Sequence, residues 1–218
     1  MKIGKNVKPS IPPVPGGTYM AVCIYSLGIG EQLCKYKDTT RYNNQVMIGF
    51  ELVGQTVEID GVQQPRVLGR TFNIAKSQNS GLRKFLGSWL GKSLTDDEYM
   101  AFDTNSLLGK AAMLNVVLND TGEYANIDSI MGLPVGMPVP EATTTPYWFD
   151  LDDGFDQAAF EKLPEWAQEK VKKSTEYQKL YAPQTEVKID SGTGEVVQEA
   201  ATAPQEAAAS PSNGRVPF

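Results

Sequence analysis

The chain of 218 residues contains no histidine and only two cysteines, Cys23 and Cys34. Without an imidazole, the chain cannot use Ser-His or Cys-His nucleophiles or an HExxH zinc site. Two cysteines cannot build a disulfide-dense scaffold or a four-cysteine zinc site, so we expect free thiols in a reducing cytoplasm. No run of 18 apolar residues occurs, and the N-terminus has no apolar signal core, so we expect no membrane span and no secretion.

Motifs for enzymatic chemistry are also scarce. The acidic clusters Asp96–Glu98 and Asp150–Asp156 could hold a divalent cation, but neither has the spacing of a calcium-binding loop. Helix capping explains the first cluster and a solvated linker explains the second. Gly28-Ile29-Gly30 lacks the third glycine of a dinucleotide-binding loop, and no phosphate-binding GxxxxGK[ST] motif occurs. The sequence therefore predicts a protein that is not an enzyme and that uses no cofactor or metal.

Charge is distributed unevenly along the chain. Residues 1–140 carry 13 basic and 12 acidic side chains, whereas residues 141–218 carry 7 and 14. The overall charge of −6 therefore comes from the second part of the chain, and the acidic balance does not exclude a nucleic-acid ligand for the first part.

Three strands are predicted before the first helix. Residues 18–25 are rich in β-branched and aromatic residues, and residues 45–53 alternate between apolar and polar. The polar segment between them, residues 26–44, predicts a loop. Asp60-Gly61 predicts a hairpin turn before a third strand over residues 66–75. The apolar positions of the second strand are Val46, Ile48, Phe50 and Leu52.

A helix and two further strands follow. Ser80 is a suitable N-cap and Gly91 a suitable stop for a helix, and Thr95 to Glu98 has the pattern of a capping box. Two strands within residues 107–133 flank the turn residues Thr121-Gly122. The apolar face of the helix consists of Leu82, Phe85, Leu86, Trp89 and Leu90.

The order of three strands, one helix and two strands is typical of the OB-fold, a five-stranded antiparallel barrel with a helix between strands 3 and 4. We therefore predict a mainly β protein with this barrel. The predicted organisation is an extended basic arm rich in Pro and Gly (1–17), an OB-fold domain (18–135), an acidic connector (136–160), an amphipathic helix (161–181) and a disordered acidic tail (182–218).

Basic and aromatic residues alternate in the first loop and around the third strand, as a single-stranded nucleic acid requires. Cations bind phosphates, and flat rings stack on bases. The candidates for phosphate contacts are Lys35, Lys37, Arg41, Arg66, Arg70, Lys76, Arg83 and Lys84. The candidates for base stacking are Tyr36, Tyr42, Phe72 and Tyr124. For Phe50 and Trp89 the spacing favours the core instead.

The chain ends in Pro217-Phe218 behind the low-complexity segment 183–214, and this arrangement resembles the single-stranded DNA-binding proteins of bacteria and their phages. The resemblance implies an OB-fold that binds the strand and a terminal Pro-Phe tip that docks on proteins of replication, recombination or repair. A terminal Phe offers a ring for a pocket and a carboxylate for a cation. The family has acidic residues just before the tip, where this chain has Asn213, Gly214 and Arg215.

A second resemblance is to phage-encoded replication and recombination accessory proteins, carried by PPVPGGTYMAVC, LRKFLGSWLGKSLTDDEYMAFD, LLGKAAMLNVV and LPEWAQEKVKKSTEY. It implies a single-stranded DNA-binding protein in the cytoplasm of an infected or lysogenic bacterium, with a phage recombinase, annealing protein or replisome protein as a further partner. A homo-oligomer is compatible with a small barrel. The main alternative is a non-enzymatic phage adaptor that recruits such a partner through residues 161–181 and the tip. A virion component and a nuclease are weaker alternatives.

Overall fold

The structure is a computed structural model that describes residues 11–37, 39–151 and 154–181. The chain divides into a compact unit, Met1–Gln178, and a second unit, Lys179–Phe218. The start of the predicted basic arm and the tail with its Pro217-Phe218 tip lie outside the described residues, so the predictions made there stay predictions. Within the described ranges, no helix has the length and apolar character needed to cross a membrane.

The described part of the chain is mainly β. Strands β1, β2 and β3 come first, then two helices and a 3-10 turn, then β4, β5 and β6, and finally three short helices. Their bounds are β1 Gly17–Tyr36, β2 Thr39–Ile59, β3 Val62–Asn73, α1 Gly81–Leu90, α2 Asp96–Met100, the 3-10 turn Thr104–Leu107, β4 Ala111–Leu118, β5 Ala125–Met131, β6 Tyr147–Phe149, α3 Gln157–Glu161, α4 Glu165–Val171 and α5 Thr175–Tyr181.

One sheet contains all six of these strands. Five are antiparallel in the order β3-β2-β1-β4-β5, and β6 adds to β1 in parallel. The mainly β class, the five antiparallel strands and the helix between the third and fourth strands are confirmed. The sixth strand was not predicted.

The second strand buries the face that its alternation predicted. Val46, Ile48, Phe50 and Leu52 all lie in the core. The predicted turn joins β2 to β3, with positive φ angles of 50° at Asp60 and 81° at Gly61. These angles fit a two-residue hairpin turn whose twist matches that of the strands.

Helix α1 covers this face of the sheet. Ser80 Oγ accepts the N–H of Arg83, and Gly91 ends the helix at a φ of 68°, as predicted. Trp89 packs on Phe50 with 5.1 Å between ring centroids. Their core position is therefore confirmed, and the reciprocal capping box at Thr95 is present at the start of α2.

The first strand is much longer than predicted, and residues 26–44 are not a loop. β1 and β2 pair from Ala21 opposite Leu52 to Tyr36 opposite Thr39, with two irregularities in the register. The polar composition of this segment suggested a turn, but cross-strand hydrogen bonds satisfy the backbone whatever the side chains are. The hairpin closes at Lys37, which has a positive φ of 51°.

The segment after β5 packs on the opposite side of β1. The predicted connector, residues 136–160, supplies β6 and all but the last residue of α3. The single helix predicted over 161–181 is instead α4 and α5, separated by 172–174. The apolar face of that segment does not lie free. Together these elements form a second core with β1, whose buried members are Ile24, Tyr25, Leu27, Ile29, Phe149, Leu151, Phe160, Leu163, Ala167 and Val171.

A buried carboxylate ties the connector to the sheet. Glu51 on β2 accepts hydrogen bonds from the N–H and hydroxyl of Thr143 and from the N–H of Thr144, each at 2.8 Å. Burial alone would raise the pKa of Glu51, but the hydrogen bonds from the two threonines outweigh it and lower the pKa below its ordinary value.

Candidate nucleic-acid interface

The three site residues predicted on the third strand face the core side of the sheet. Arg66, Arg70 and Phe72 occupy alternate positions of β3 and therefore share one face. Phe72 is only 5% exposed and packs on Phe85 with ring centroids 4.7 Å apart. It offers no free ring face to a base, so its predicted stacking role is corrected to a core role.

Arg70 joins the two outer strands of the five-stranded path. Its Nη1 donates to the carbonyl of Ile127 at 2.8 Å and to that of Asp128 at 2.9 Å, both on β5. Asp128 is the extra residue of a β-bulge, because β4 pairs with the residues on either side of it. The guanidinium carbon also lies 5.1 Å from the ring centroid of Phe72. This arginine thus has a structural role that the sequence did not indicate.

Two further predicted phosphate contacts already bind other groups of the protein. Arg83 is only 7% exposed, donates to the carbonyl of Leu94 and pairs with Asp96 at 2.6 Å. Its neighbouring position 84 is exposed. Arg66 donates to the carbonyls of Thr56 and Pro12, at 3.3 and 2.7 Å. The predicted phosphate contact of Arg83 is therefore corrected to a structural role, because its guanidinium closes the α1–α2 linker.

Two carboxylates of the first acidic cluster, Asp96 and Glu98, also have partners within the protein. Hydrogen bonding to Arg83 lowers the pKa of Asp96, and Lys92 together with the backbone of Thr95 lowers that of Glu98 to about 2. Within the described ranges, no group of three potential metal ligands comes together. This cluster caps α2, as the sequence predicted.

The remaining candidates concentrate on the β1–β2 arm, which we define as residues 31–44. Residues opposite each other in an antiparallel pair share a face. Leu33 pairs with Tyr42 and Lys35 with Thr40, so a cation, a ring and an aliphatic side chain lie on one face. Tyr42 is 56% exposed and Leu33 is 51% exposed. Such a face combines a charge for phosphate with a ring for a base.

The other face of the arm carries further positive charge. Arg41 pairs with Cys34, and the turn holds Lys37 next to the last rung, Tyr36 opposite Thr39. Arg41 and Lys37 are exposed. The arm therefore presents cations on both faces and at its turn.

The root of the arm is fixed by the C-terminal helices. Gln32 Nε2 donates to the carbonyls of Ile29 and Lys170. The backbone N–H of Glu31 donates to both carboxylate oxygens of Glu176, at 2.9 and 3.1 Å. Among the described residues no strand pairs with this edge of β1, and the contacts with α4 and α5 cover it instead and hold the root of the arm.

The predicted residues do not all lie at one end of the sheet. Gly17 pairs with Val116 near the end of β4, so the β4–β5 turn with Tyr124 lies at the end opposite the arm. Tyr124 is 67% exposed there. Lys76 follows the last residue of β3, Asn73, which pairs with Gln45 at the base of the arm. The structure thus groups Lys76 with the arm and separates Tyr124 from it.

Leu33 was missed in the sequence because the segment was interpreted as a loop. Its spacing of two from Lys35 would have placed both on one face once a strand was assumed. Its position opposite Tyr42 needed the hairpin register as well.

No protein-family model, no curated protein and no solved structure matches the chain. What the chain binds is therefore inferred from the arm itself, which offers exposed cations and an exposed ring on a braced, two-stranded support.

Proposed function

We propose that this protein binds single-stranded DNA during phage replication or recombination, without strong sequence preference, and that the β1–β2 arm is its main contact. The observation that carries the proposal is the shared face of Lys35 and Tyr42 on the arm. Stacking of a base on an exposed ring stabilises such complexes by about 1–3 kcal/mol, and it tolerates any base.

The sheet order supports an OB-fold as the architecture of this site. In that fold, strands 1, 2 and 3 form a meander, strand 4 returns beside strand 1, and the helix follows strand 3. The order β3-β2-β1-β4-β5 has the same plan. We propose that β3 and β5 are the closing edges of the barrel, and Arg70 already connects them.

Charge on the arm supports a phosphate ligand. Residues 31–44 contain three cations, Lys35, Lys37 and Arg41, and two acids, of which Glu31 lies at the root of the arm. For single strands the affinity falls by about 0.7 log units per log unit of salt for each phosphate neutralised. We therefore expect these three cations together to account for a slope of about −2 in log affinity against log salt.

The experiment is a fluorescence-anisotropy titration of a labelled oligothymidine at several salt concentrations, with duplex DNA of the same length as competitor. We expect salt-sensitive binding that the duplex does not displace. Tyr42→Ala should lower the affinity about 5- to 150-fold, from the loss of one stacked base. Tyr124→Ala removes a ring of similar exposure at the other end of the sheet, and a short strand bound at the arm should not sense it.

Absence of binding at low salt would contradict the proposal. The adaptor alternative would then need a surface other than the apolar face of residues 161–181, because Leu163, Ala167 and Val171 on that face are buried against β1. A pull-down with and without the last two residues would test the tip.

A further inference from the structure

Helix α4 lies against the root of the arm. Gln32 Nε2 donates to the carbonyl of Lys170 at 3.1 Å, so the end of α4 touches β1 where the arm begins. Ala167 and Val171 on the inner side of the helix are buried in the second core. The helix is therefore fixed on the sheet, and the side chains along its exposed flank keep a defined position relative to the arm.

Trp166 is an exposed ring on this flank. It is 42% exposed, and its ring packs on that of Tyr25 with 5.4 Å between the centroids. Tyr25 itself is buried and lies across the backbone of β2 at Gly49, where a Cβ would overlap its ring. Part of the indole therefore rests on a buried ring that the sheet supports, and the rest is open to solvent. A ring that is already held in place loses little side-chain entropy when a base stacks on it.

Lys170 lies next to Trp166, because residues four apart are neighbours on the surface of a helix. Lys170 is exposed, and in the part of the chain that the structure describes it makes no ion pair. The acids Glu165 and Glu169 lie about 100° and about 60° round the helix axis from Trp166, on the side away from the buried residues. Trp166 and Lys170, which we call the α4 stripe, therefore present a ring and a cation together.

The α4 stripe is continuous with a cation of the arm. Gln32 and Cys34 are two residues apart on β1 and share one face of the arm, and Arg41 lies opposite Cys34 on the same face. Because the Gln32 side chain reaches the carbonyl of Lys170, this is the face of the arm that borders α4. Arg41 and Lys170 therefore flank Gln32 on one side of the sheet.

We propose that a bound single strand extends from the arm onto α4, where a base stacks on Trp166 and a phosphate contacts Lys170. The inference rests on the proposed single-stranded DNA binding and adds a second stacking position to it. Residues 165–171, predicted from the sequence as part of a helix that recruits a partner protein, are then part of the DNA site. An exposed ring beside a cation is what a strand of any sequence requires.

The composition of the α4 stripe favours a nucleic acid over a protein partner. The apolar residues Ala167 and Val171 are buried, so the exposed flank has one ring, Trp166, bordered by cations. The centres of protein–protein interfaces are depleted in lysine, whereas lysine is an ordinary ligand of phosphate.

One strand of DNA can contact both Tyr42 and Trp166. The two rings lie on opposite sides of the sheet, but the arm is only two β-strands wide, with about 5 Å between the strands. Leu33, opposite Tyr42, and Tyr25, in contact with Trp166, are separated along β1 by about 26 Å. At about 3.4 Å per stacked nucleotide, a strand must be longer than about eight nucleotides to reach both rings.

The test is an anisotropy titration of the full chain with a labelled oligothymidine of about 16 nucleotides, the upper end of the site sizes of OB-folds. Trp166→Leu keeps an apolar side chain against Tyr25 but removes the ring, so the affinity should fall about 5- to 150-fold. Trp148→Leu is the control and should leave the affinity unchanged. Trp148 is 55% exposed on β6, on the opposite face of that strand from Tyr147, which contacts Tyr25.

The salt dependence of binding tests Lys170. Lys170→Gln should reduce the slope of log affinity against log salt by about 0.7, the share of one phosphate contact. Lys172→Gln removes an exposed cation two residues later, about 160° round the helix axis, and should leave the slope unchanged.

Tryptophan emission reports the stacking directly. A base stacked on Trp166 quenches its emission, so an unlabelled strand should quench the emission of the wild-type chain and of Trp148→Phe. Trp166→Phe should lose this quenching while it keeps a ring for the base and most of the affinity. A purely structural role of Trp166 would not produce this difference.

Wild-type affinity and a wild-type melting curve for Trp166→Leu, while Tyr42→Ala weakens binding, would overturn this inference and leave the proposed function intact. Weaker binding of Trp166→Leu with unchanged quenching in Trp166→Phe would also overturn it, because Trp166 would then act through the fold alone. If Trp166→Leu does not fold, the emission of Trp166→Phe and the salt slope of Lys170→Gln decide. Absence of binding by the wild-type chain would overturn the proposed function, and the inference with it.

Discussion

Arg70 should stabilise the fold rather than bind DNA, and the effect of removing it can be estimated from its contacts. It donates to two carbonyls of β5 through one nitrogen, and its guanidinium lies over Phe72 and Phe85 at 5.1 and 5.7 Å. A hydrogen bond from a charged donor contributes about 1.5–3 kcal/mol when buried, and a cation–π contact at a partly exposed site about 0.5–1 kcal/mol. Because the bond to Asp128 is exposed, we expect Arg70→Ala to cost about 2–3 kcal/mol.

Urea denaturation measures this loss as a change in the free energy of unfolding, and melting should shift downward by roughly 4–12 °C for a chain of this size. Arg70→Lys keeps the charge, but its ammonium ends one bond short of the Nη1 position and has no planar group to lie over Phe72 and Phe85, so it should recover less than half of the stability. Lys76→Ala removes an exposed cation and serves as the control, with a change below about 0.5 kcal/mol.

Measuring the DNA affinity of Arg70→Ala tests the alternative role of this residue as a phosphate contact. If Arg70 contacts phosphate, Arg70→Ala will lower the salt slope and weaken binding while the free energy of unfolding stays within about 0.5 kcal/mol of wild type. That pair of results would refute its role as a link between β3 and β5. We expect the reverse pattern, with lower stability and an unchanged salt slope.

Three further changes test other contacts. Glu51→Gln leaves one acceptor oxygen where two are used and should cost about 1–3 kcal/mol. Folding lowers the pKa of Glu51, so the contribution of its carboxylate to the free energy of unfolding is present above the ordinary carboxyl pKa of about 4.5 and is lost as the pH falls below it. Wild type should therefore lose more stability than Glu51→Gln between about pH 5 and pH 3. Parallel curves of stability against pH would contradict this. Gly49→Ala should prevent stable folding, because a Cβ there would overlap the ring of Tyr25 in the second core, and a wild-type melting curve would show that reasoning wrong. Burial raises the pKa of Cys23 to about 12, so a thiol reagent at pH 8 should label only Cys34 in the native chain and both cysteines in denaturant.

Sequence patterns correctly predicted the features that depend only on residues close by in the chain. The alternation of residues 45–53 predicted a buried face, and Ser80, Gly91 and Thr95 predicted helix ends, because each of these signals depends on neighbours within a few positions. The same holds for the turn at Asp60, where positive φ is a property of the turn itself.

Features that depend on distant partners could not be predicted in the same way. Residues 21–27 form a continuous buried run because β1 packs on both faces, and the second face is covered by segments more than 100 residues later. Alternation of basic and aromatic residues at 66–72 is the same whether the strand faces water or the core. Only the packing of Phe72 on Phe85 shows which face is inside.

The sequence predicted which residue types form the candidate site, but not which of these residues lie together in the structure. Lys35 and Tyr42 share a face because a hairpin register puts them there, and Tyr124 is separated by the direction of β4. One cavity of about 320 Å³ is lined by residues of six elements, from Ser26 on β1 to Phe149 on β6, and no sequence spacing connects them.

The double-sided packing of β1 has a consequence for synthesis of the chain. β1 leaves the ribosome before β6, which pairs with it from Tyr25 to Leu27 and follows about 120 residues later in the chain. At a rate of about 5–20 residues per second, roughly 6–24 s pass before that partner is available. During this interval the outer side of β1 exposes Ile24, Tyr25, Leu27 and Ile29 on a nascent chain. The second core therefore forms only after residues 149–171 have been synthesised, and ribosomes stalled before residue 147 would carry an aggregation-prone strand.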